Sequence, residues 1–376
     1  MAGITFTLYF LLHGLSQAEI ATLFSIFMIS LALLEIPTGG YADTFGHKKS
    51  VVLGLFLESF YFLILFFSTN FYGFAFGMII AALGIAFQSG AINSLIYEIL
   101  EKENRGDDFA KVQGKIQSIS LITMVIAAPI GTFLYKNNPQ TPYFLAFVFT
   151  FLTAICAALI KYEFTKKSRS VSVYLHNIKT GIQLTMKNNL LLGLIIIGIS
   201  LTLSRLLFNQ NISQPYFLTI GIDVAAIGIV VAIESILMAI LSFYSHKILE
   251  KLGEAKSLIL LIFIPSLCTI ILSQLNYILA LVFVFTFAMS HALRVPILGT
   301  LSQKELTKEQ RSTMASTGSF ISSITVGILL PWWGLLIDKF GISTTLLLLG
   351  CYTIFIGFTG FYIIKLHKKD IKIITK

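Results

Sequence analysis

Six ionisable side chains stand inside long apolar stretches of this 376-residue chain: Glu35, Glu58, Glu234, Arg205, His291 and Arg294. A charge at the centre of a bilayer costs at least about 2.5–3.5 kcal/mol, so such groups face a cavity or a partner rather than lipid. Their chemistry falls into two kinds. A carboxylate taken out of water can exchange its charge for a proton, and a guanidinium can hold a carboxylate or phosphate through two parallel hydrogen bonds. Glu234 lies nearest mid-depth of its stretch and is the first candidate to carry a proton, with Glu58 and Glu35 behind it. The competing reading makes Glu234 the structural partner of an arginine. Glu35 sits closer to the stretch's end and suits a gate better than a proton path, and Glu98 closes its own stretch as a solvated group. His291 and Arg294 are three residues apart and are expected to share a helical face.

Elements long enough to hold these groups in a membrane are easily found. Cutting the chain at its polar breaks leaves apolar spans at roughly 18–39, 50–68, 72–98, 110–135 and 142–161, then 190–209, 223–244, 257–274, 277–300, 312–337 and 343–366. A shorter run, Ile4 to Leu12, precedes them. A span needs about 20 residues, so this first helix is expected to be truncated at its N-terminal end. Twelve crossings follow, in an all-α membrane protein of two six-helix halves. The expected division is residues 1–162, a cytoplasmic linker over 163–189, a second bundle over 190–366 and a basic tail over 367–376. Leu175, Ile178, Ile182 and Met186 recur at helical spacing in the linker, which predicts an amphipathic helix lying at the membrane interface.

Positive charge sets the orientation. Of the 27 Lys and Arg residues, only Lys136 and Lys339 fall in loops on one side, and Arg205 and Arg294 lie inside spans. All the others fall on the opposite side, which by the positive-inside rule is the cytoplasm and holds both termini. The chain is 56% hydrophobic and 12% charged, with a mean hydropathy of +0.85. A soluble domain carries about a quarter charged residues. The net charge of +9 is spread over juxtamembrane loops, which points to anionic lipid of the inner leaflet and away from nucleic acid. Cys156, Cys268 and Cys351 are far apart, form no CxxC pair and read as small core residues. No cleavable signal peptide is visible. Zinc-protease, phosphate-loop and nucleophile-elbow motifs are missing too, so no enzyme, cofactor or metal is expected.

Repeats then relate the halves. Gly39-x-x-x-Asp43-x-x-Gly46-His47-Lys48-Lys49 follows the second span, and Glu250-x-x-Gly253-x-x-Lys256 follows the eighth with the same acid-to-glycine and glycine-to-lysine spacing. Pro129 and Gly131 in the fifth span correspond to Pro331 and Gly334 in the eleventh, and both pairs are expected helix kinks. Gly334-x-x-x-Asp338-Lys339-x-Gly341 echoes the first motif on the other face and reads as repeat ancestry or a turn signal.

The Gly39–Lys49 segment resembles the signature loop of the major facilitator superfamily (MFS), with Thr44 and His47 standing where that loop has basic residues. The resemblance implies two six-helix bundles working by alternating access. In it, Gly39, Asp43, Gly46, Lys48 and Lys49 form a conformational latch, with Asp43 docked on a helix N-terminus. It also implies a central cavity lined by spans one, four, seven and ten, which places Arg205, His291, Arg294, Gln88, Asn93 and Asn209 at or near the substrate. Ala128-Pro129-Ile130-Gly131 partly resembles the Gly-Pro element of efflux antiporters in that family. The leading expectation is therefore a monomeric plasma-membrane transporter that exports small hydrophobic or drug-like compounds against protons. Transport of an organic anion or metabolite is the alternative, because Arg205 and Arg294 would attract a carboxylate or phosphate. A non-transporting sensor with the same fold is a third reading.

Overall fold

The computed structural model describes residues 2–161, 171–303 and 306–374. Residues 163–170 of the expected linker and Thr375 and Lys376 of the tail lie outside the described residues, and the side chains of Leu175 and Ile178 are likewise outside the description. About 90% of the protein is helical, with no strand among the described residues. The helices are α1 (Phe6–Leu12), α2 (Gln17–Phe45), α3 (His47–Phe67), α4 (Phe71–Gln88), α5 (Ala91–Lys102), α6 (Phe109–Asn137), α7 (Thr141–Leu159) and α8 (Val171–Lys187). They continue as α9 (Asn189–Leu207), α10 (Ser213–Thr219), α11 (Val224–Phe243), α12 (Ser245–Leu272), α13 (Ala280–Ala292), α14 (Arg294–Gln303) and α15 (Lys308–Ile374).

Among the described residues, ten helical segments are long and apolar enough to cross a membrane, and Gly3–Leu12 is a shorter apolar one. The last of the ten, Thr313–Leu366, has 54 residues. At about 1.5 Å per residue it would extend about 80 Å, far beyond the ~30 Å of a bilayer core. It does not run straight: the backbone leaves the helix at Gly341, with φ 80° and ψ 171°. Two of the expected spans therefore sit in α15, one on each side of that bend, and all twelve apolar stretches are accounted for. The paired motifs have one backbone: Gly46 adopts φ 101° between α2 and α3, and Gly253 adopts φ 75° within α12. Both angles are open to glycine and costly for other residues, so the repeat's glycines are turn-formers.

The chain divides into two compact units. Unit 1 comprises residues 1–15, 22–176 and 224–232, and unit 2 comprises 16–21, 177–223 and 233–376. The first turn of α2 therefore belongs with unit 2, and the first half of α11 with unit 1. Small residues set the helix spacing inside each unit, as expected where lipid gives helices no hydrophobic reason to associate. In unit 1 a Cβ on Gly54 would lie 2.6 Å from the Gly84 carbonyl oxygen, so α3 and α4 touch backbone to backbone. In unit 2 a Cβ on Gly193 would lie 2.5 Å from the Gly360 carbonyl oxygen, and α9 meets α15 in the same way. Leu194, Ile197, Leu201, Leu258, Ile262 and Ile297 fill the adjoining core.

Two expectations need correction. Cys268 is buried, but Cys156 and Cys351 are exposed. An apolar span offers its small residues to lipid as readily as to protein, so apolar context alone does not place a cysteine in the core. In α8, Met186 is exposed, and the helix instead buries Gly181 and Thr185, the latter donating to Met314 Sδ at the start of α15.

Candidate functional site

Two of the expected spans are interrupted, and the ionisable residues gather at the interruptions. In unit 1 the fourth span is two helices: α4 ends at Gln88, and α5 starts after Gly90, whose φ is 72°. Breaking the helix frees backbone groups, and Ser50 Oγ donates to the Phe87 carbonyl at 2.6 Å. Gln88 Nε2 donates to Glu58 Oε2 at 2.8 Å, and Ser89 Oγ donates to Glu35 Oε1 at 3.0 Å. Both carboxylates thus meet neutral donors, and among the described residues neither forms an ion pair. Asn93 accepts from Gln113 Nε2 at 2.7 Å.

In unit 2 the tenth span is likewise two helices, α13 and α14, parted at Leu293. Pro296 supplies the cause: it has no N–H for the carbonyl of Ala292, and its ring crowds that carbonyl. His291 and Arg294, expected on one continuous face, therefore stand on opposite sides of the break. Both still reach α9. The ring nitrogens of His291 face two carbonyls, Nδ1 toward Phe287 at 3.0 Å and Nε2 toward Leu201 at 3.1 Å. A carbonyl only accepts, so the neutral ring, with one N–H, satisfies one of them at a time. Arg294 Nη1 donates to Thr202 Oγ1. Thr202 and Arg205 lie three apart on α9 and so share a face, which brings the two guanidinium groups into each other's field.

Arg205 Nη2 donates to Glu234 Oε1 of α11 at 2.6 Å and lies 3.3 Å from Met238 Sδ. The side chains of Arg205 and Glu234 are 18% and 10% exposed, making this the most buried carboxylate–guanidinium pair among the described residues. Arg205 Nη1 is buried with no hydrogen-bond partner. Of the three candidate carboxylates, only Glu234 is buried and ion-paired. The two guanidinium groups face one carboxylate, so the cluster carries an excess positive charge. Arg294 is half-buried, and no ion pair reaches it among the described residues.

A π-turn, Phe208–Ile212, follows Arg205 on the same span; such wide turns occur mostly at functional positions. It contains Asn209, which is half-buried and accepts from Ser213 Oγ through its carbonyl. Asn211, which the sequence did not single out, is fully buried, and its Nδ2 donates to the carbonyl and Oε1 of Gln17, both at 3.0 Å.

The expected latch loop is arranged differently from its reading in the sequence. Asp43 lies 3.8 Å from His47 Nε2, whose Nδ1 is 3.1 Å from Glu98. His47, the departure from the family motif, is thus flanked by two carboxylates, and Glu98 is more than a solvated helix end. Lys48 donates to the Ala158 carbonyl at 2.8 Å. The aspartate that does cap a helix is Asp338, in the echo read as a turn signal: its two oxygens accept from the backbone N–H groups of Gln17 and Ala18, each at 2.9 Å. Gly334, one turn earlier, makes this possible, because its Cβ would lie 2.6 Å from the Gln17 carbonyl oxygen. In unit 1 the corresponding kink region around Pro129 packs on α11: Thr132 donates to the Ala225 carbonyl at 2.9 Å, and Gly228 lies against Ala128 and Thr132. Both proline–glycine pairs therefore mark close helix approaches.

Known proteins share this architecture. A sequence model of the Major Facilitator Superfamily matches residues 1–329. An uncharacterized MFS-type transporter of Methanocaldococcus jannaschii is 24% identical over 360 residues, covering 93% of this chain and 89% of the relative. Multidrug resistance protein 2 of Bacillus subtilis is 22% identical over 329 residues, covering 84% and 80%. Among solved structures, a nucleoside transporter superposes with a TM-score of 0.79 at 13% identity, covering 96% of this chain and 95% of that one. A bacterial homologue of the human lysosomal transporter Spinster gives 0.78 at 14% identity, covering 98% and 94%. The two six-helix halves, the signature loop and the match along most of the sequence lead to one conclusion: this chain is a multi-pass membrane transporter of the Major Facilitator Superfamily and not an enzyme.

Proposed function

We propose that the protein is a proton-linked secondary transporter whose working pair is Arg205 and Glu234, and that its solute is a small organic anion with an apolar body. One observation carries this reading: within the apolar helices of unit 2, two guanidinium groups share a single carboxylate, and Arg205 Nη1 is left without a partner. A buried excess charge is costly unless something of opposite sign compensates it, and an oxyanion matches the guanidinium fork. His291 supports the same side of the cluster, and Asn209 lies one turn beyond Arg205. Gln88 and Asn93 line the corresponding break of unit 1, where Glu35 and Glu58 are secondary proton candidates.

A second reading is export of hydrophobic, drug-like compounds by proton antiport. What favours it is the similarity to Multidrug resistance protein 2 and the Pro129–Gly131 kink, which packs against α11. Counterflow in proteoliposomes separates the two. Trans-acceleration by aryl carboxylates, absent with their neutral amides and with cationic dyes, is the expected result; acceleration by cationic dyes alone would transfer the assignment to drug export. In either case the protein works as a monomer in the plasma membrane by alternating access, both termini in the cytoplasm and anionic headgroups against the lysine loops.

A further inference from the structure

Granted the organic-anion reading above, we infer that proton and anion bind the unit 2 cluster together, the proton on Glu234 and the anion on the guanidinium groups of Arg294 and Arg205, so that both cross in the same direction. The argument begins with how Arg205 is shared. Its Nη2 is held by Glu234, while Nη1 is buried and unbonded, so half of its fork is already free. Arg294 presents a second fork whose bonded partner is the neutral hydroxyl of Thr202. An oxyanion seated on Arg294 reaches the field of Arg205, because Thr202 and Arg205 share one face of α9. It then competes with Glu234 for Arg205.

Two carboxylates near one guanidinium disfavour each other's charge, and a proton on either relieves the repulsion. Linkage fixes the sign. If bound anion makes Glu234 hold a proton more firmly, then lower pH must tighten anion binding by the same factor. The charged and titratable groups facing Glu234 are Arg205 on α9, His291 on α13 and Arg294 at the start of α14. His291 is the other place a proton could go, and its two carbonyl partners leave room for a second N–H. It bonds the backbone of α9 and α13, however, and does not contact Arg205's carboxylate partner. A cationic solute would behave oppositely, since it competes with the proton for Glu234.

The test is equilibrium binding of radiolabelled benzoate, salicylate and 1-naphthoate to the purified full chain between about pH 5.5 and about pH 8, with the amides as neutral controls. Co-binding predicts that Kd falls by up to about tenfold for each unit the pH is lowered. Glu234→Gln should flatten that dependence while keeping low-pH affinity, His291→Gln should leave the slope intact, and Arg294→Gln should weaken binding about 10- to 100-fold at every pH. The wild-type slope stands as a test even if a variant fails to fold. Carboxylates that bind with a flat or inverted pH dependence overturn co-binding and leave the organic-anion reading standing. So does a slope that survives Glu234→Gln and disappears in His291→Gln. Amides or cationic dyes binding in place of every carboxylate overturn the underlying reading itself.

Discussion

Removing either member of the Arg205–Glu234 pair should destabilise the protein unequally, and the inequality can be worked from the geometry. Arg205→Gln shortens the side chain and withdraws the only cation at hydrogen-bonding distance from Glu234, 2.6 Å away in the native pair. With side chains only 10–18% exposed, the orphaned carboxylate keeps little water. An unpaired charge at such depth costs about 2.5–3.5 kcal/mol on insertion scales, toward the low end of the ~3–5 kcal/mol seen when buried pairs are broken. Glu234→Gln is milder. It keeps an amide oxygen able to accept from Arg205 Nη2 and exchanges a charged hydrogen bond for a neutral one, a loss of about 1–2 kcal/mol. Arg205→Gln/Glu234→Gln removes both charges, so its cost should fall short of the sum by about 1–3 kcal/mol. Reversible unfolding in mixed detergent–SDS micelles reads all four corners of this cycle. Costs that add to within about 0.5 kcal/mol would mean the two groups are not coupled, and the site as described would be wrong.

Other predictions concern the elements that hold the site. Gly334→Ala should cost about 1–3 kcal/mol, because its Cβ meets backbone atoms at Gln17 and Ala18. Gly318→Ala, in the same helix with nothing within 4 Å, should be neutral or stabilising by up to about 1 kcal/mol in the same melt. Asp338→Asn should weaken the cap on α2 by about 0.5–2 kcal/mol, seen as faster amide exchange at Gln17 and Ala18 than in the wild type. A membrane-permeant maleimide should label the exposed Cys156 and Cys351 well before Cys268, by mass spectrometry of the reconstituted protein.

The crossings were legible in the sequence because a bilayer imposes one length on every helix, and the polar breaks between apolar runs fall where that length ends. The two interruptions were harder to read. Ser89-Gly90 and Pro296 were visible, yet the surrounding hydropathy is continuous, and hydropathy is insensitive to a turn that neighbouring side chains satisfy. Arg205, Glu234, His291 and Arg294 announced themselves through the cost of burying charge. Which of them pair depends on how α9, α11 and the α13–α14 break pack, and spacing along one helix carries no information about that. Asp338 was seen and read as an echo, since a Gly-x-x-x-Asp spacing does not reveal whether a helix N-terminus lies opposite. Asn211 gave no signal at all: an uncharged amide in a span resembles any other until its partner Gln17 is placed.

The central claim, that Glu234 couples solute movement to protons through Arg205, is tested most directly by pH-gradient-driven flux of a labelled aryl carboxylate in proteoliposomes of wild-type and Glu234→Gln protein. The account predicts gradient-driven accumulation with the wild type, and with the variant only exchange that ignores the gradient. Equal accumulation by both proteins would contradict it.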